Sequence, residues 1–256
     1  MTTVTIGNAR IPYRTEGTGR PLVLVHGTGA GAELTWGHLA TRFSDRRTVV
    51  LPDLSGSERA VDDGASLTVE TLAAQVAAVI EDLGGEPADL VGFSLGAPVA
   101  AAVAALNPDL VRGLVLIAGF GRTDEYLRNL MLVWQGSVGD PATFGRVATV
   151  TGFSRTFLER LGPAEVERLV SNIRPTPGVL RQVDLNTRVD VRALLPRIEA
   201  ATLVVGCAHD GTVPVENSRE LHAAIRGSAY AEVDSGHVVV FERPDEIVTL
   251  VHKFST

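Results

Sequence analysis

Ser94 lies in Gly92-Phe93-Ser94-Leu95-Gly96, between an apolar run, Ala88-Asp89-Leu90-Val91, and an alanine-rich run from Leu95 to Leu106. The first run reads as a short buried strand and the second as a helix packed on both sides. A serine pinned at so sharp a strand-to-helix turn has its hydroxyl exposed and a helix N-terminus behind it. The flanking glycines fit this reading, because neighbouring backbone comes too close in such a turn for larger side chains. The pentapeptide alone also suits an ordinary Gly-rich turn, so its strand and helix context carries the argument.

A serine hydroxyl is a poor nucleophile until a base removes its proton, and the base needs a third group to orient it. Of His26, His38, His209, His222, His237 and His252, the best placed base is His237. It follows the expected strand Tyr230–Val233 in the loop Asp234-Ser235-Gly236-His237. His222 and His252 fall on expected surface helices, His38 opens a helical turn with no partner in sight, and His26 reads as a brace of the glycine loop beside it. The orienting acid belongs at another strand end. Asp210, after Leu203-Val204-Val205-Gly206, meets that requirement, although His209-Asp210-Gly211 is also good turn chemistry. Asp124 is a weaker alternative acid, and Asp234 is close enough to His237 to be a loop-shaping residue.

Attack on a carbonyl also needs donors for the developing negative charge. The Leu95 N–H, at the start of the helix after Ser94, is one candidate. The second is the Thr28 N–H in Gly27-Thr28-Gly29-Ala30-Gly31, which ends the apolar run Pro21–His26. These glycines lack the G-x-G-x-x-G spacing of a dinucleotide loop, and no ribose-binding acid stands at the expected distance.

The elements that must position these groups alternate along the chain. Val4–Ile6 and Ile11–Tyr13 read as an opening hairpin, Pro21–His26 and Thr48–Leu51 as strands, and Trp36–Phe43 as a helix. A longer helix runs from Thr68, which can cap it, to Leu83, with Gly84 able to end it in a left-handed turn. Strands at Val111–Ala118, Thr202–Gly206 and Tyr230–Val233, and helices at Glu216–Ala224 and Pro244–Phe254, complete the pattern. Such alternation predicts a mostly parallel sheet flanked by helices. It is interrupted between about 120 and 188, where only helical pieces near Tyr126–Trp134 and Phe157–Ile173 are legible. An insertion there is expected to sit over the carboxyl ends of the strands, as a lid. The expected organisation is one structural domain: core 1–119, helical lid 120–188, core 189–256.

Composition narrows the partners. A net charge of −7 with a pI near 5.4 argues against nucleic acid or an anionic membrane. The N-terminus lacks the basic-then-apolar pattern of a secretory signal, and no apolar run approaches the roughly 20 residues of a membrane span. A cytoplasmic protein with a small-molecule substrate is the expectation, its oligomeric state open. The single cysteine, Cys207, excludes an internal disulfide and reads as core packing.

Taken together these residues resemble the α/β-hydrolase superfamily, in its lid-bearing single-domain branch. His26-Gly27-Thr28-Gly29 is similar to the family's HGxG oxyanion loop, and the pentapeptide around Ser94 to its nucleophile elbow. Gly206-Cys207-Ala208-His209-Asp210 with Val213-Pro214 is similar to its acid loop, and Gly236-His237 with Glu242-Arg243-Pro244 to its histidine loop and last helix. Ser94, Asp210 and His237 also stand in the family's order of serine, acid and histidine. There are departures. The loop Pro52-Asp53-Leu54-Ser55-Gly56-Ser57 lacks the usual second glycine, and Ala97 replaces a frequent glycine. Serine at 94 differs from the aspartate of haloalkane dehalogenases and epoxide hydrolases. Trp36 and the longer oxyanion loop resemble the carbon–carbon bond hydrolases of aromatic degradation, but Val238 stands where those carry tryptophan.

The resemblance implies a serine hydrolase of an ester, thioester or lactone, with no metal and no organic cofactor. Ser94, Asp210 and His237 would be catalytic, and Thr28 and Leu95 would form the oxyanion hole. Gly27, Phe93, Trp134 and Val238 are expected in the substrate pocket. Leu130, Leu132 and Phe157 of the lid either join an acyl pocket or pack the lid itself. The same triad on this fold also serves elimination, acyl transfer and carbon–carbon cleavage, and some members are small-molecule receptors.

Overall fold

The computed structural model describes residues 1–29 and 31–254; Ala30 of the glycine loop and the last two residues of the 189–256 segment lie outside the described residues. Strands β1 (Thr2–Ile6), β2 (Ala9–Glu16), β3 (Arg20–Val25), β4 (Arg47–Pro52), β5 (Ala88–Phe93), β6 (Val111–Ile117), β7 (Ala201–Cys207) and β8 (Ala229–Val233) form one sheet in the order β1-β2-β4-β3-β5-β6-β7-β8. β1 and β2 pair antiparallel, as do β2 and β4; every other neighbouring pair is parallel. The chain is an α/β hydrolase fold. β3, β5, β6 and β7 are almost continuously buried and mostly apolar, as a sheet covered on both faces requires.

One face is covered by α1 (Ala32–Ala40) and the C-terminal α10 (Pro244–Phe254). The other carries α2 (Val69–Asp82) and α3 (Gly96–Leu106). α3 buries ten of its eleven residues, and small alanines let it lie close to both sheet and α2. α2 begins where Thr68 accepts the Thr71 N–H, and Gly84 follows its end at φ +109°. α1 starts four residues earlier than expected, because buried Asp53 accepts the Ala32 N–H and supplies the start that no local cap provides.

Between β6 and β7 stand α4 (Glu125–Gly136), α5 (Pro141–Gly152), α6 (Arg155–Asn172) and α7 (Pro177–Asn186). α4 and α6 correspond to the two legible pieces, α6 being kinked at Gly162-Pro163. α5 and α7 were hidden by their glycines and prolines. Yet each starts on a cap followed by proline: Asp140 accepts from Ala142 and Thr143 before Pro141, and Thr176 from Val179 before Pro177. Proline in the first turn costs a helix nothing, since that N–H has no intrahelical acceptor anyway. α8 (Val215–Ala224) and the single turn α9 (Val239–Glu242) complete the α-helices among the described residues, and short 3-10 turns stand at Pro108–Leu110 and Leu195–Arg197.

The amino ends of three central strands share a buried charge. Asp89 on β5 accepts from Arg47 on β4, at 2.7 Å, and from Arg112 on β6. Removing the carboxylate strands two guanidiniums that are only partly solvated. Asp89→Ala is therefore expected to lower unfolding free energy by about 3 kcal/mol, read as a shift in the urea midpoint.

Candidate active site

The sheet order places β3 between β4 and β5, and the connection from β3 to β4 through α1 lies on one face while that from β4 to β5 through α2 lies on the other. A crevice opens at such a switch point, beyond the carboxyl ends of the strands. β5 ends there in Phe93, and Ser94 follows at φ +55°, a left-handed conformation that non-glycine residues seldom adopt. The Ser94 N–H donates to Ile117 O at 2.9 Å and Ser94 O accepts from the Ala97 N–H, so both sides of the turn are tied. Glycine is needed on both flanks. A Cβ on Gly92 would run into the Gly96 carbonyl, and one on Gly96 would stand 2.5 Å from Val25 O.

His237 reaches this turn from the loop after β8. Its Nε2 lies 2.8 Å from Ser94 Oγ and its Nδ1 2.7 Å from Asp210 Oδ2. The other oxygen of Asp210 accepts the N–H groups of Thr212 (2.8 Å) and Val213 (2.7 Å), which holds the carboxylate edge-on to the imidazole. All three side chains are buried, and the Phe93 ring packs 5.2 Å from the imidazole. With Nδ1–H donating to Asp210 Oδ2, Nε2 is left as the acceptor for the Ser94 hydroxyl.

The Leu95 and Thr28 amides have no intramolecular acceptor among the described residues. Gly27 packs against the serine, where a Cβ would come 2.9 Å from Ser94 Cβ. His26 braces this loop: Nδ1–H donates to Gly27 O at 2.7 Å and Nε2 accepts the Leu54 N–H at 3.1 Å.

The remaining acids and histidines have other tasks. Asp124 caps α4 and accepts from Asn217. Asp234 pairs with His209 at 2.7 Å and with Arg243. His38 does have partners, contrary to expectation: Nε2 lies 3.0 Å from Val240 O and the ring stacks on Phe241. They come from a distant segment, which is why the local sequence did not suggest them. Burial pushes the Cys207 thiol far above its usual range, in keeping with a packing role. Among the described residues no group of three or more His, Cys, Asp or Glu side chains is placed to hold a metal ion. No helix among them is long and apolar enough to cross a membrane.

A cavity of about 410 Å³ opens onto Ser94 and His237. Its wall is mainly apolar, from Phe93, Phe120, Leu127, Met131, Trp134, Phe144, Val179 and Val238, with Thr28, Thr212, Asn172 and Asn186 among its polar residues and Glu58 and Arg174 as its charged ones. Phe93, Trp134 and Val238 are thus in the wall. Gly27 is not; it is spent on contact with Ser94, and Thr28 and Gly29 line the cavity in its place. Leu132 is exposed, Leu130 packs on the core, and Phe157 stacks on Phe153. Trp36 is fully buried against Phe93. Sequence reasoning missed Gln182 and Asn186, two buried amides of α7 that touch the glycine loop. Their i, i+4 spacing after the Thr176-Pro177 cap was the available signal.

The family model described as the alpha/beta hydrolase fold matches residues 20–244. The pyrrolizixenacetamide deacetylase of Xenorhabdus hominickii is 39% identical over 259 residues, covering 99% of this chain and 97% of that protein. The 2-hydroxymuconate semialdehyde hydrolase of Pseudomonas sp. strain CF600 is 29% identical over 254 residues, 93% of this chain and 87% of that one. Among solved structures, the enol-lactonase of Burkholderia xenovorans LB400 superposes with a TM-score of 0.87 over 99% of both chains, at 21% identity. The chain belongs to the α/β hydrolase family and is an enzyme of that type.

Burial holds the His26 imidazole below its usual value, and the ring is neutral in the folded protein because Nε2 accepts an amide. The unfolded chain binds that proton more readily, so stability is present above about pH 6.5 and declines as pH falls below it. The urea midpoint should drop between pH 7 and pH 5.5, with a shallower slope in His26→Gln. Equal slopes would show that His26 is not responsible.

Proposed function

We propose that this enzyme cleaves a carboxylic ester, thioester or lactone of a small organic molecule through a serine acyl-enzyme. The supporting observation is the continuous line of hydrogen bonds from Asp210 through His237 to Ser94 at the mouth of an apolar cavity. In this reading His237 Nε2 takes the Ser94 proton as Oγ attacks the carbonyl carbon, and Asp210 stabilises the imidazolium. The oxyanion accepts the N–H groups of Leu95 and Thr28. The imidazolium then protonates the leaving group, and a water activated by the same nitrogen hydrolyses the acyl-enzyme. No step calls on a metal or organic cofactor.

Helices α4–α7 act as the lid of a single domain whose core comprises 1–119 and 189–256. They supply most of the apolar wall, so the acyl or leaving group rests against Leu127, Met131, Trp134 and Phe144. The extended similarity to a protein named as a deacetylase favours a second substrate type, an acetamide, cleaved by the same steps with nitrogen leaving. The protein acts on a small molecule in the cytoplasm.

A fluorophosphonate is expected to label the wild-type enzyme at Ser94 and leave Ser94→Ala unlabelled. Ser94→Ala and His237→Ala should each lower kcat on p-nitrophenyl acetate by about 10⁴-fold or more. Folded wild-type protein that resists labelling contradicts the reading. Hydrolysis in ¹⁸O-water should place label in the acid product; an unlabelled product points instead to transfer or elimination.

A further inference from the structure

Two loops meet beneath α7, and both are held by its buried amides. Gln182 Oε1 accepts the Gly29 N–H at 2.9 Å, while its Nε2 donates to Ser55 O at 3.1 Å in the loop after β4. One turn further on, Asn186 Nδ2 donates to Thr28 Oγ1 at 2.7 Å. Gln182 is 1% exposed and Asn186 5%, so both side-chain amides are almost wholly withdrawn from bulk solvent. Gly178, on the same helix, packs its backbone on Gly56, a fit that a Cβ on either would break.

Gly29 and Gly31 both sit at positive φ, +137° and +108°, where glycine is free to move elsewhere in φ/ψ space. The peptide between Thr28 and Gly29 carries the hydrogen bond to Gln182, and the side chain of Thr28 carries the one to Asn186. With backbone and side chain both tied, Thr28 has a defined direction for its own amide.

We propose that Gln182 and Asn186 are positioning residues for the oxyanion hole, setting the Thr28 amide from the lid side. The inference rests on the reading that Thr28 N–H receives the oxyanion. It gives α7 a role that differs from that of α4 and α5, which wall the cavity without touching the loop's polar groups. Neither side chain is required to touch the reacting atoms. Each acts through Thr28 and Gly29, by keeping a donor within a few tenths of an ångström of where negative charge develops.

The test uses the full chain with p-nitrophenyl acetate as substrate and benzeneboronic acid as a tetrahedral adduct former. Gln182→Met and Asn186→Leu are expected to lower kcat by about 10- to 100-fold, with KM within about threefold. Boronate affinity should fall in parallel with kcat. Arg181→Ala, on the same helix, removes the ion pair with Asp62 at 2.7 Å and serves as the control. It should lower Tm while leaving kcat within about twofold, separating helix docking from loop positioning. Thr28→Val keeps the backbone amide and deletes the acceptor of Asn186 without disturbing α7, so it covers the case where the α7 variants do not fold. Thr28→Val should lower kcat as Asn186→Leu does, and the double variant should be no worse than either alone.

Folded variants with wild-type kcat, or with raised KM and unchanged kcat, overturn the proposal. Those outcomes leave the acyl-enzyme reading intact provided wild type is labelled at Ser94. A wild type that fails to label takes down that reading first.

Discussion

The structure depends on how closely backbone approaches backbone around Ser94. Strand β5, the turn and helix α3 meet with Gly92 against the carbonyl of Gly96, and Gly96 against that of Val25. Room for a Cβ at either place would move the helix off the sheet and carry the serine with it. Ser94 itself is held at positive φ, a conformation costing on the order of 1–3 kcal/mol for a side-chain-bearing residue. The alanine-rich α3, buried on nearly every side, supplies the packing that keeps the turn in place.

From this point the other groups are arranged by the parallel sheet. The carboxyl ends of β3, β5, β7 and β8 bring Thr28, Ser94, Asp210 and His237 to one rim, although they span most of the chain. The helices between β6 and β7 are joined to that rim by specific bonds. On one side Glu242 accepts from both the backbone N–H and the hydroxyl of Ser154, and the Val238 N–H donates to Gly152 O. On the other side Arg181 pairs with Asp62, and Arg188 donates to Leu67 O. A cavity roofed by so many ties is shaped as much by the inserted helices as by the sheet.

The limits of sequence reading were physical. α5 and α7 carry glycine and proline, residues that inside a helix break it, but Asp140-Pro141 and Thr176-Pro177 stand at helix starts. α1 began early because its first amide is held by Asp53, a residue 21 positions away. His38 found its partners in a segment 202 residues distant. For α1 and His38 the deciding contact lies outside any local window.

What the amino-acid sequence determined by itself was the alternation of buried strands with helices, the tight glycine-flanked serine, and a histidine and an acid each placed after a strand. Those features follow from periodicity and from the steric demands of one turn, which are local. Only the tertiary structure decided which residues wall the cavity, that Gly27 serves contact with Ser94 and not the pocket, and that α7 grips the glycine loop through Gln182 and Asn186. Those outcomes depend on how an inserted run of helices docks on the sheet, and docking is settled by contacts between residues far apart in the chain.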